Sequence, residues 1–472
     1  MGRRRKPIFL ENLTVNGIAD KGRGLLRGED GRVIFVENAI PGDVVDVRVT
    51  KKKKDYLIAT PTRLVTPSPD RTEAFCQHYG VCGGCKWQHV QYDKQLAYKH
   101  EVVETALRRI GKVSADVFLP PLAAPTTRRY RNKLEFSFCN KRWLQPEELN
   151  NPDVSAYEDV LGFHRAGAFD KIVNITECHL MEEPVNPIRN RMREIAHAQE
   201  LDFYDVRQNT GYLRNVVMRR TSLGQWMLIV VVNEDVPERL RTYLDAILAE
   251  FPTITSLYYC INTKVNDFIL DLPIERYHGT ERIEERLGDV RFTIGPKSFF
   301  QTNTGQAKNL YDEVLRFAAL SGTENVYDLY TGIGSIALYA AQAAGHVVGV
   351  EEIPAAIEDA RANQALNGID NCTFYAGDVK DILTTEFAER HGKPDLVITD
   401  PPRAGMHERV VRMLLELAAP RIVYVSCNPA TQARDIGILS EAYDVKQIRT
   451  VDMFPHTYHV ESIALLELRE AR

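Results

Sequence analysis

With 472 residues, the chain is too long for one hydrophobic core and should divide into two to four domains, taking about 150 residues per domain. Hydrophobic residues make up 44% and charged residues 26% of the chain. Because no apolar run approaches the roughly 20 residues of a membrane helix, and the basic start lacks the apolar stretch of a secretory signal, we expect a soluble, cytoplasmic protein without a membrane partner.

The front of the chain is basic although the formal net charge of the whole is -5. Residues 1 to 65 contain fourteen Lys or Arg and eight Asp or Glu, and "KKKK" spans Lys51 to Lys54. Such runs are most often solvated surfaces. A basic module joined to an acidic remainder nevertheless favours a polyanion partner, because neutralised phosphates supply most sequence-independent affinity for nucleic acids. RNA or DNA is therefore the predicted class of partner.

The segment "GRVIFVENAIPGDVVDVRVTKKKKDYLIATPTRLV" alternates β-branched runs with turn signals, which predicts a small β-barrel. Together with the glycine-rich and basic "GIADKGRGLLRGEDG", it resembles a TRAM domain, a small RNA-binding barrel with an OB-like fold that is attached to RNA-modifying enzymes. We place this domain at residues 1–66. Pro67 and Pro69 then indicate a linker within "VTPSPDRTEAF".

The next segment, "CQHYGVCGGC", predicts a metal centre, because three cysteines cluster in a chain expected to be cytosolic. Its ligands would be Cys76, Cys82 and Cys85, with Cys178 of "NITECHL" as the candidate fourth. Spacing does not separate iron-sulfur from zinc. A zinc site with three cysteines and one histidine stays possible because histidines lie beside the cysteines, namely His78, His89 and His179. Three isolated cysteines are predicted to be structural, namely Cys139, Cys260 and Cys372.

The segment "QLAYKHEVVETALRRIG" predicts a helix over about 93–112 that ends near Gly111 and packs on the carboxyl-terminal domain. Its apolar stripe consists of Leu96, Val103, Leu107 and Ile110. After it, "RRYRNKLEFSF" permits two interpretations that we weigh equally. One is a solvated strand edge, and the other is a surface of base-stacking aromatics and phosphate-binding cations.

Residues 139 to 290 contain strands such as "MLIVVVN" and "SLYYCIN" and indicate a mixed α/β region without a catalytic signature. We assign residues 67–290 to a central α+β domain that carries the cysteine cluster and an RNA-binding surface. Residues 291–472 form the last predicted domain.

In that last domain, "NVYDLYTGIGSIALYAA" predicts a strand ending at Asp328, a turn with Gly332 and Gly334, and then a helix. Small residues in such a turn allow the backbone to approach a ligand. The following strand, "HVVGVEE", ends at Glu351, which is placed to accept hydrogen bonds from ribose hydroxyls. Since the turn lacks a full GxGxxG, it fits S-adenosylmethionine better than a dinucleotide.

Three further predicted strands end in polar side chains, which are Asp378 after "NCTFYAG", Asp400 after "PDLVIT" and Cys427 after "RIVYVS". Helical segments alternate with these strands, so we expect a doubly wound, Rossmann-like parallel sheet whose strand ends converge on one edge. Cysteine is often an inert core residue. The convergence of polar groups favours Cys427 as a nucleophile instead.

Six motifs occur here in the order found in RNA uracil-5 methyltransferases, namely "FFQTN", "DLYTGIG", "GVEE", "DPPRAG", "YVSCNP" and "MFPHTYHVE". With the TRAM-like front and the cysteine cluster, nearly the whole chain resembles the branch of that family that modifies 23S ribosomal RNA. The branch that modifies tRNA generally lacks both additions. The resemblance implies that S-adenosylmethionine is used to methylate C5 of a uridine in 23S rRNA, giving 5-methyluridine.

The resemblance also implies the site residues. A 4Fe-4S cluster would be held by Cys76, Cys82, Cys85 and Cys178. The cofactor would be contacted by Gln301, Tyr330, Gly332, Ser335, Glu351, Asp378 and Asp400. Two of these positions depart from relatives, because Ser335 stands where some carry a polar amide and Asp378 where others carry Asn. Both can form hydrogen bonds, so we expect cofactor binding to survive.

The chemistry requires a nucleophile and a base. Uracil C5 takes a methyl group only after a thiolate, predicted to be Cys427, adds to C6. The C5 proton must then be removed, and the resemblance assigns this step to Glu461 as general base. The target base must also be unstacked to reach these groups.

Other functions are weighed against this one. In an amino-group methyltransferase an aromatic residue normally follows the two prolines, whereas Arg403 follows them here, and the proline-cysteine context of a cytosine-5 RNA methyltransferase is absent. A tRNA uracil-5 methyltransferase is the nearest alternative. The alternative outside enzymes is an inactive RNA-binding or assembly factor, which the presence of Cys427 and Glu461 disfavours. We expect a monomer without an obligate protein partner.

Overall fold

The computed structural model describes residues 7–145 and 147–470. The chain begins with a six-stranded sheet of order β1-β5-β6-β4-β3-β2. Its strands are β1 (Phe9–Thr14), β2 (Gly17–Ala19), β3 (Arg23–Arg27), β4 (Val33–Val36), β5 (Val44–Lys52) and β6 (Tyr56–Thr66). Alternate side chains of β4 and of the first half of β5 are buried, so one face of these strands forms the core of the unit. The predicted linker is tied to this core, since Arg71 pairs with the buried Asp43 at 2.7 Å.

Helix α1 (Tyr92–Arg109) and strand β7 (Phe118–Leu122) come next. The predicted helix over 93–112 is therefore confirmed, and it ends in the turn before Gly111. Its buried face differs from the predicted apolar stripe. Gln95 and Lys99 are buried with Val103 and Leu107, whereas Ile110 is half exposed.

The second sheet has seven strands in the order β10-β9-β8-β11-β12-β13-β14. Its strands are β8 (Lys133–Cys139), β9 (Val160–His164), β10 (Ile172–Asn174), β11 (Leu213–Arg220), β12 (Trp226–Val232), β13 (Ile254–Ile261) and β14 (Glu275–Gly279). Neighbours are antiparallel except β12 and β13, which are joined by a helical crossover. The helices of this region are α2 (Val185–Ala198) and α3 (Pro237–Glu250). Both predicted strands of the region are confirmed, in β12 and β13.

A hairpin of β15 (Ile283–Leu287) and β16 (Val290–Ile294) leads into the carboxyl-terminal part. Its strands are β17 (Asn325–Leu329), β18 (His346–Glu351), β19 (Cys372–Ala376), β20 (Leu396–Thr399), β21 (Arg421–Ser426), β22 (Tyr443–Val451) and β23 (Glu461–Leu468). Its helices are α4 (Thr304–Ala318), α5 (Ser335–Ala341), α6 (Pro354–Leu366), α7 (Val379–Ile382), α8 (Thr385–His391), α9 (Glu408–Leu417) and α10 (Pro429–Leu439).

These strands form an eight-stranded sheet of order β19-β18-β17-β20-β21-β23-β22-β7. Strands β17 to β21 are parallel, and all of them except the edge strand β19 are almost fully buried, as expected for a sheet covered by helices on both faces. The predicted doubly wound sheet is confirmed. Because β7 pairs with β22, residues 118–122 extend this sheet although they lie within the predicted central range 67–290. The domain bounds stay predictions.

None of the helices in the described part of the chain combines the length and apolarity that crossing a bilayer requires.

Candidate active site

Cys427 follows the last residue of β21, and Asn428 then caps the amino end of α10. The Asn428 side chain also donates to the carbonyl of Arg403 at 2.9 Å, which ties the Cys427 turn to the "DPPRAG" turn. Strand β23 pairs with β21 so that Ser462 lies opposite Ser426. Glu461 and Cys427 therefore occupy the same end of neighbouring strands.

A cavity of about 860 Å³ lies at this edge. On the carboxyl-terminal side it is lined by Gln301, Asp400, Cys427 and Glu461. The rest of its lining includes the four predicted metal ligands, Cys76, Cys82, Cys85 and Cys178. The structure thus places the predicted nucleophile, the predicted base and the cysteine cluster around one space.

Burial raises the pKa of three acidic groups of this cavity. Burial and the carboxylates of Glu461 and Asp400 together raise the pKa of the Cys427 thiol to about 11, while Arg403 opposes them. Burial also raises the pKa of Asp400 to about 7. The pKa of Glu461 lies well above its usual range because the side chain is buried and faces Asp400. The thiol must therefore lose its proton before it can attack, and Arg403 is the cation whose charge favours that loss.

The turn after β17 has the geometry of a nucleoside-binding loop. The Gly332 backbone N–H donates to Glu351 at 3.1 Å, and the Ile353 N–H donates to the other carboxylate oxygen at 3.1 Å. A carboxylate with two oxygens retains acceptor capacity for ribose hydroxyls. Gly332 has a φ of 56°, a left-handed conformation that favours glycine. The loop and Glu351 are thus held in place by the protein itself.

The remaining predicted cofactor residues are partly engaged within the chain. The Ser335 hydroxyl lies 3.0 Å from the Tyr311 hydroxyl. Asp378 caps α7, and its hydrogen bonds with Lys380 lower the pKa of the Asp378 carboxyl. Tyr330 begins the turn at the end of β17, with a φ of 66°. Gln301 and Asp400 line the cavity. Ser335, Asp378 and Tyr330 lie instead at the neighbouring turns that follow the strands. The roles of all seven in cofactor binding stay predictions.

The four cluster cysteines are free thiols, and Cys178 is buried while the others are half-buried. Burial and the proximity of Cys85, Cys82 and Cys76 together raise the pKa of Cys178 to about 12, so the four lie within electrostatic reach of one another. Within residues 7–145 and 147–470, however, no group of three or more His, Cys, Asp or Glu side chains is placed so that it could hold a metal ion. The metal site stays a prediction.

Two of the alternative histidine ligands form other bonds. The His78 ring accepts a hydrogen bond from the Thr176 N–H at 3.0 Å, and the His89 ring is bonded to the Tyr79 hydroxyl. Both bonds compete with metal ligation. His179 lines the cavity beside Cys178.

The segment "RRYRNKLEFSF" is neither a solvated edge nor an aromatic platform. Tyr130 is 8% exposed and donates to the Pro455 carbonyl at 3.0 Å, so stacking of Tyr130 on a base, which the second interpretation allowed, is wrong. Arg131 and Lys133 line the cavity. The sequence placed a tyrosine among cations, but long-range packing buries the tyrosine and leaves Arg131 and Lys133 at the cavity.

Sequence reasoning missed several residues that line the cavity, namely Phe163, Phe299, Arg403, Phe454, Thr457 and His459. Three of them lie between β22 and β23, in the "MFPHTYHVE" motif. The motif ends at Glu461, and this position could have predicted its role, because residues next to a strand end lie at the same edge of the sheet as that end.

Comparisons with known proteins find two family models and close relatives of the whole chain. Residues 277–469 match the family model "tRNA (Uracil-5-)-methyltransferase", and residues 11–62 match the TRAM domain. A protein of Bacteroides thetaiotaomicron named an uncharacterized RNA methyltransferase is 48% identical over 96% of this chain and 100% of its own length. One of Porphyromonas gingivalis with the same name is 49% identical over 96% of this chain and 99% of its own.

A solved structure covers nearly the whole chain as well. The Pyrococcus abyssi tRNA (uracil-54, C5)-methyltransferase in complex with S-adenosyl-L-homocysteine superposes with a TM-score of 0.74 at 30% identity. The match covers 96% of this chain and 100% of that one.

Proposed function

Because the chain belongs to the tRNA (uracil-5-)-methyltransferase family of S-adenosylmethionine-dependent RNA methyltransferases, we propose that it methylates C5 of a uridine in 23S rRNA and gives 5-methyluridine. The observation that carries the proposal is the single cavity that Cys427 and Glu461 share. Only a reaction that needs both an attacking thiolate and a later proton acceptor uses this pair fully.

Cys427 is the nucleophile in this proposal. Its thiolate adds to C6 of the uracil, and the electron pair of the C5–C6 double bond moves into the ring to give an enolate at O4. S-adenosylmethionine, when bound, supplies the methyl group that C5 then takes. The Cys427 turn is held by Asn428, which keeps the sulfur at the cavity edge.

Glu461 then removes the C5 proton as a carboxylate. The electron pair of the C5–H bond re-forms the double bond, and the bond between C6 and the Cys427 sulfur breaks. The burial that raises the pKa of Glu461 makes its side chain, once ionised, a stronger proton acceptor than an exposed glutamate. The proton therefore passes from C5 to the Glu461 carboxylate, which lines the same cavity.

The cofactor would bind along the turns after β17, β18 and β20. Glu351 is fixed by two backbone N–H groups and would accept from the ribose hydroxyls, while Gly332 lets the chain approach the ligand. Tyr330, Ser335 and Asp378 would complete that pocket. Gln301 and Asp400 face the target cavity and would meet the end of the cofactor that carries the methyl group.

Cys76, Cys82, Cys85 and Cys178 would hold a 4Fe-4S cluster, with zinc as the alternative. Their convergence on one cavity as free thiols supports a shared centre, and thiolate sulfur suits both iron-sulfur clusters and zinc. The methylation steps need no electron, so the cluster's role is structural.

The RNA-binding parts would be the TRAM barrel of residues 1–66 and the central domain of residues 67–290, with chemistry in residues 291–472. Lys51 to Lys54 are exposed at the end of β5 and beyond it. A monomer would suffice, since one chain supplies the whole cavity.

The specific RNA is tested by mapping 5-methyluridine by mass spectrometry in rRNA and tRNA from cells with and without the protein. Loss of the modification at a 23S rRNA position supports the proposal. A second candidate is a tRNA uracil-5 methyltransferase, which the likeness to the Pyrococcus abyssi enzyme favours because that match spans both chains nearly completely. Loss at a tRNA position alone would replace the first candidate by the second, and no loss in either RNA would favour an inactive binding factor.

A further inference from the structure

Helix α1 buries polar side chains where its pattern predicted an apolar stripe. The side chains of Gln95 and Lys99 are both almost completely buried. Burying a cation is costly unless it is paired and hydrogen-bonded. Their partners therefore indicate what the burial stabilises.

Three of those partners, Asp452, Phe454 and His456, belong to one loop, residues 452–460, which connects β22 to β23 and which we call the base loop. The two residues at its ends, Val451 and Glu461, lie opposite each other in the strand register. Phe454, Thr457 and His459 of this loop line the target cavity. The base loop thus determines the position at which Glu461 begins β23, and it also forms part of the cavity lining.

Lys99 binds the first turn of the base loop. Its Nζ donates to the Asp452 carboxylate at 2.6 Å and to the Phe454 carbonyl at 3.0 Å. The same Asp452 oxygen accepts from the Phe454 backbone N–H at 3.1 Å. Lys99 and Asp452 are both fully buried, so this pair is shielded from water.

Gln95 binds the middle of the base loop. Its Oε1 accepts from the His456 backbone N–H at 2.8 Å, and its Nε2 lies 3.1 Å from the His456 ring Nδ1. The same amide donates to the carbonyls of Trp87 and Val90 at 3.0 and 2.8 Å. The His456 carbonyl in turn accepts from the N–H groups of Lys86 and Trp87 at 2.8 and 2.9 Å.

His456 needs this support, because its φ of 64° places a residue with a Cβ in the left-handed region. A non-glycine residue persists there only where its surroundings hold it. Three hydrogen bonds to the His456 backbone involve the Gln95 side chain and the backbone N–H groups of Lys86 and Trp87. Helix α1 and the segment after Cys85 therefore hold the middle of the base loop.

We propose that Lys99 and Gln95 are positioning residues for Glu461, which hold the base loop so that the carboxylate meets the C5 proton. The proposal rests on the function proposed above. It adds that helix α1, which lies outside the strands of the catalytic sheet, is needed to place the general base. A general base must be placed within hydrogen-bond reach of its proton, and a misplacement of about 1 Å can cost on the order of 100-fold in rate.

The defect should be confined to proton removal. Cys427 is placed by β21 and by the Asn428 bond to Arg403, and the cofactor loop is placed by Glu351. These contacts are separate from the base loop. Variants at α1 should therefore attack C6 and transfer the methyl group, then release the C5 proton slowly.

The experiment is a single-turnover assay with RNA tritiated at uracil C5 and with saturating enzyme and S-adenosylmethionine. It follows three readouts, which are tritium release, methyl incorporation and covalent protein–RNA adduct on denaturing gels. Gln95→Met and Lys99→Met should lower tritium release by about 10- to 100-fold and accumulate methylated adduct. Tyr98→Phe is the matched control on the same helix, since it removes only the 2.7 Å bond from the Tyr98 hydroxyl to Asp70 and should behave like wild type.

Lys99→Met leaves Asp452 buried without its partner and can destabilise the fold. The double variant Lys99→Met/Asp452→Leu removes both charges and should fold, yet still release tritium slowly because the Phe454 carbonyl has lost the bond that ties it to α1 and keeps only its bonds from Thr457 within the loop. Tritium release at the wild-type rate in folded Gln95→Met and in the double variant would overturn the proposal. Equal slowing of attack, methyl transfer and tritium release would also overturn it, since that pattern indicates a merely structural role.

Glu461→Gln in the same assay separates the two levels of inference. If it accumulates adduct while the α1 variants do not, only the positioning role is wrong. If it neither accumulates adduct nor slows tritium release, the proposed base itself is wrong, and the positioning role is overturned with it.

Discussion

The two walls of the cavity use the same amino acid in different ways. On the carboxyl-terminal wall, Cys427 ends a regular strand and faces two carboxyl groups, Asp400 and Glu461. On the other wall, Cys178 has three other cysteines as neighbours and lies in an irregular segment. Burial raises the pKa of both thiols, to about 11 and about 12. The neighbours, rather than the thiol pKa, distinguish the predicted nucleophile from a predicted metal ligand.

The largest expected effect is at the nucleophile. Cys427→Ala should form no covalent RNA adduct and should lose methylation by on the order of 10⁴-fold or more, the scale seen when a covalent nucleophile is removed. Denaturing electrophoresis and transfer of a labelled methyl group measure the two effects. Cys372→Ala is the matched control, because Cys372 is a buried cysteine of the same sheet, at β19.

The folded Cys427→Ala variant must also bind S-adenosylmethionine and RNA normally, so that misfolding is separated from lost chemistry. Methylation of uridine at the wild-type rate by that variant would make Cys427 a core residue and refute the mechanism.

The next largest effect is at the base. Glu461→Gln keeps the size of the side chain but cannot accept the proton, so turnover should fall by about 10²- to 10⁴-fold. Unlike Cys427→Ala, this variant should accumulate a methylated protein–RNA adduct that survives denaturation. An equal amount of adduct in Glu461→Gln and wild type would show that another group removes the proton.

The carboxyl-terminal wall was largely predictable because its signals are local. Each parallel strand is a short apolar run followed directly by its polar residue, so Asp400 and Cys427 could be placed on one edge before any contact was known. Parallel strands buried on both faces impose that pattern on the sequence. The alternation of strands and helices then determines which edge the residues share.

The contacts of α1 and of Tyr130 were less predictable because they join distant parts of the chain. Lys99 and Asp452 are 353 residues apart, and no periodicity in either segment reports their pairing. Tyr130 illustrates the same limit, since its hydroxyl is bonded to the distant carbonyl of Pro455. Local pattern showed that α1 is a helix but not that Gln95 and Lys99 belong to its buried face.

The cysteine wall can be tested through its metal content. Anaerobically purified protein should be brown and contain iron and sulfide, and Cys178→Ser should lose them and unfold at lower temperature, because metal binding contributes directly to folding free energy. Cys139→Ser, at a buried cysteine outside the cavity, is the control for loss of a thiol. Stoichiometric zinc without iron or sulfide would reject the cluster, and methylation that requires a reductant would reject its purely structural role.

A smaller effect is expected on the pH dependence of stability, through the buried Asp400. Burial raises the folded pKa of Asp400 from 3.8 to about 7, so the folded state binds a proton that the unfolded chain has lost. Stability from this group is present below pH 4 and is lost as the pH rises through about 7. Asp400→Asn should therefore melt at a higher temperature than wild type at pH 8 without ligand.

One pKa unit corresponds to about 1.4 kcal/mol, so the gain should be several degrees. The difference should vanish near pH 4, where both side chains are neutral. A difference of the same size at both pH values would mean that ionisation of Asp400 is not its cause. The variant should also bind S-adenosylmethionine more weakly, which tests the cofactor role.

The smallest expected effect lies outside the cavity, on the basic front of the chain. Replacing Lys51 to Lys54 by Ala should weaken RNA binding and flatten its dependence on salt, since each lost phosphate contact lowers the slope by about 0.7 to 0.9. The four side chains are exposed, so S-adenosylmethionine binding and the melting temperature should not change. Lys393→Ala is the control, because Lys393 is exposed at the amino end of β20, opposite the edge that carries Asp400. If the affinity and the salt slope of the fourfold variant equal those of wild type, the front lysines lie outside the RNA interface, and the cations of the cavity wall, Arg131 and Lys133, become the leading phosphate contacts.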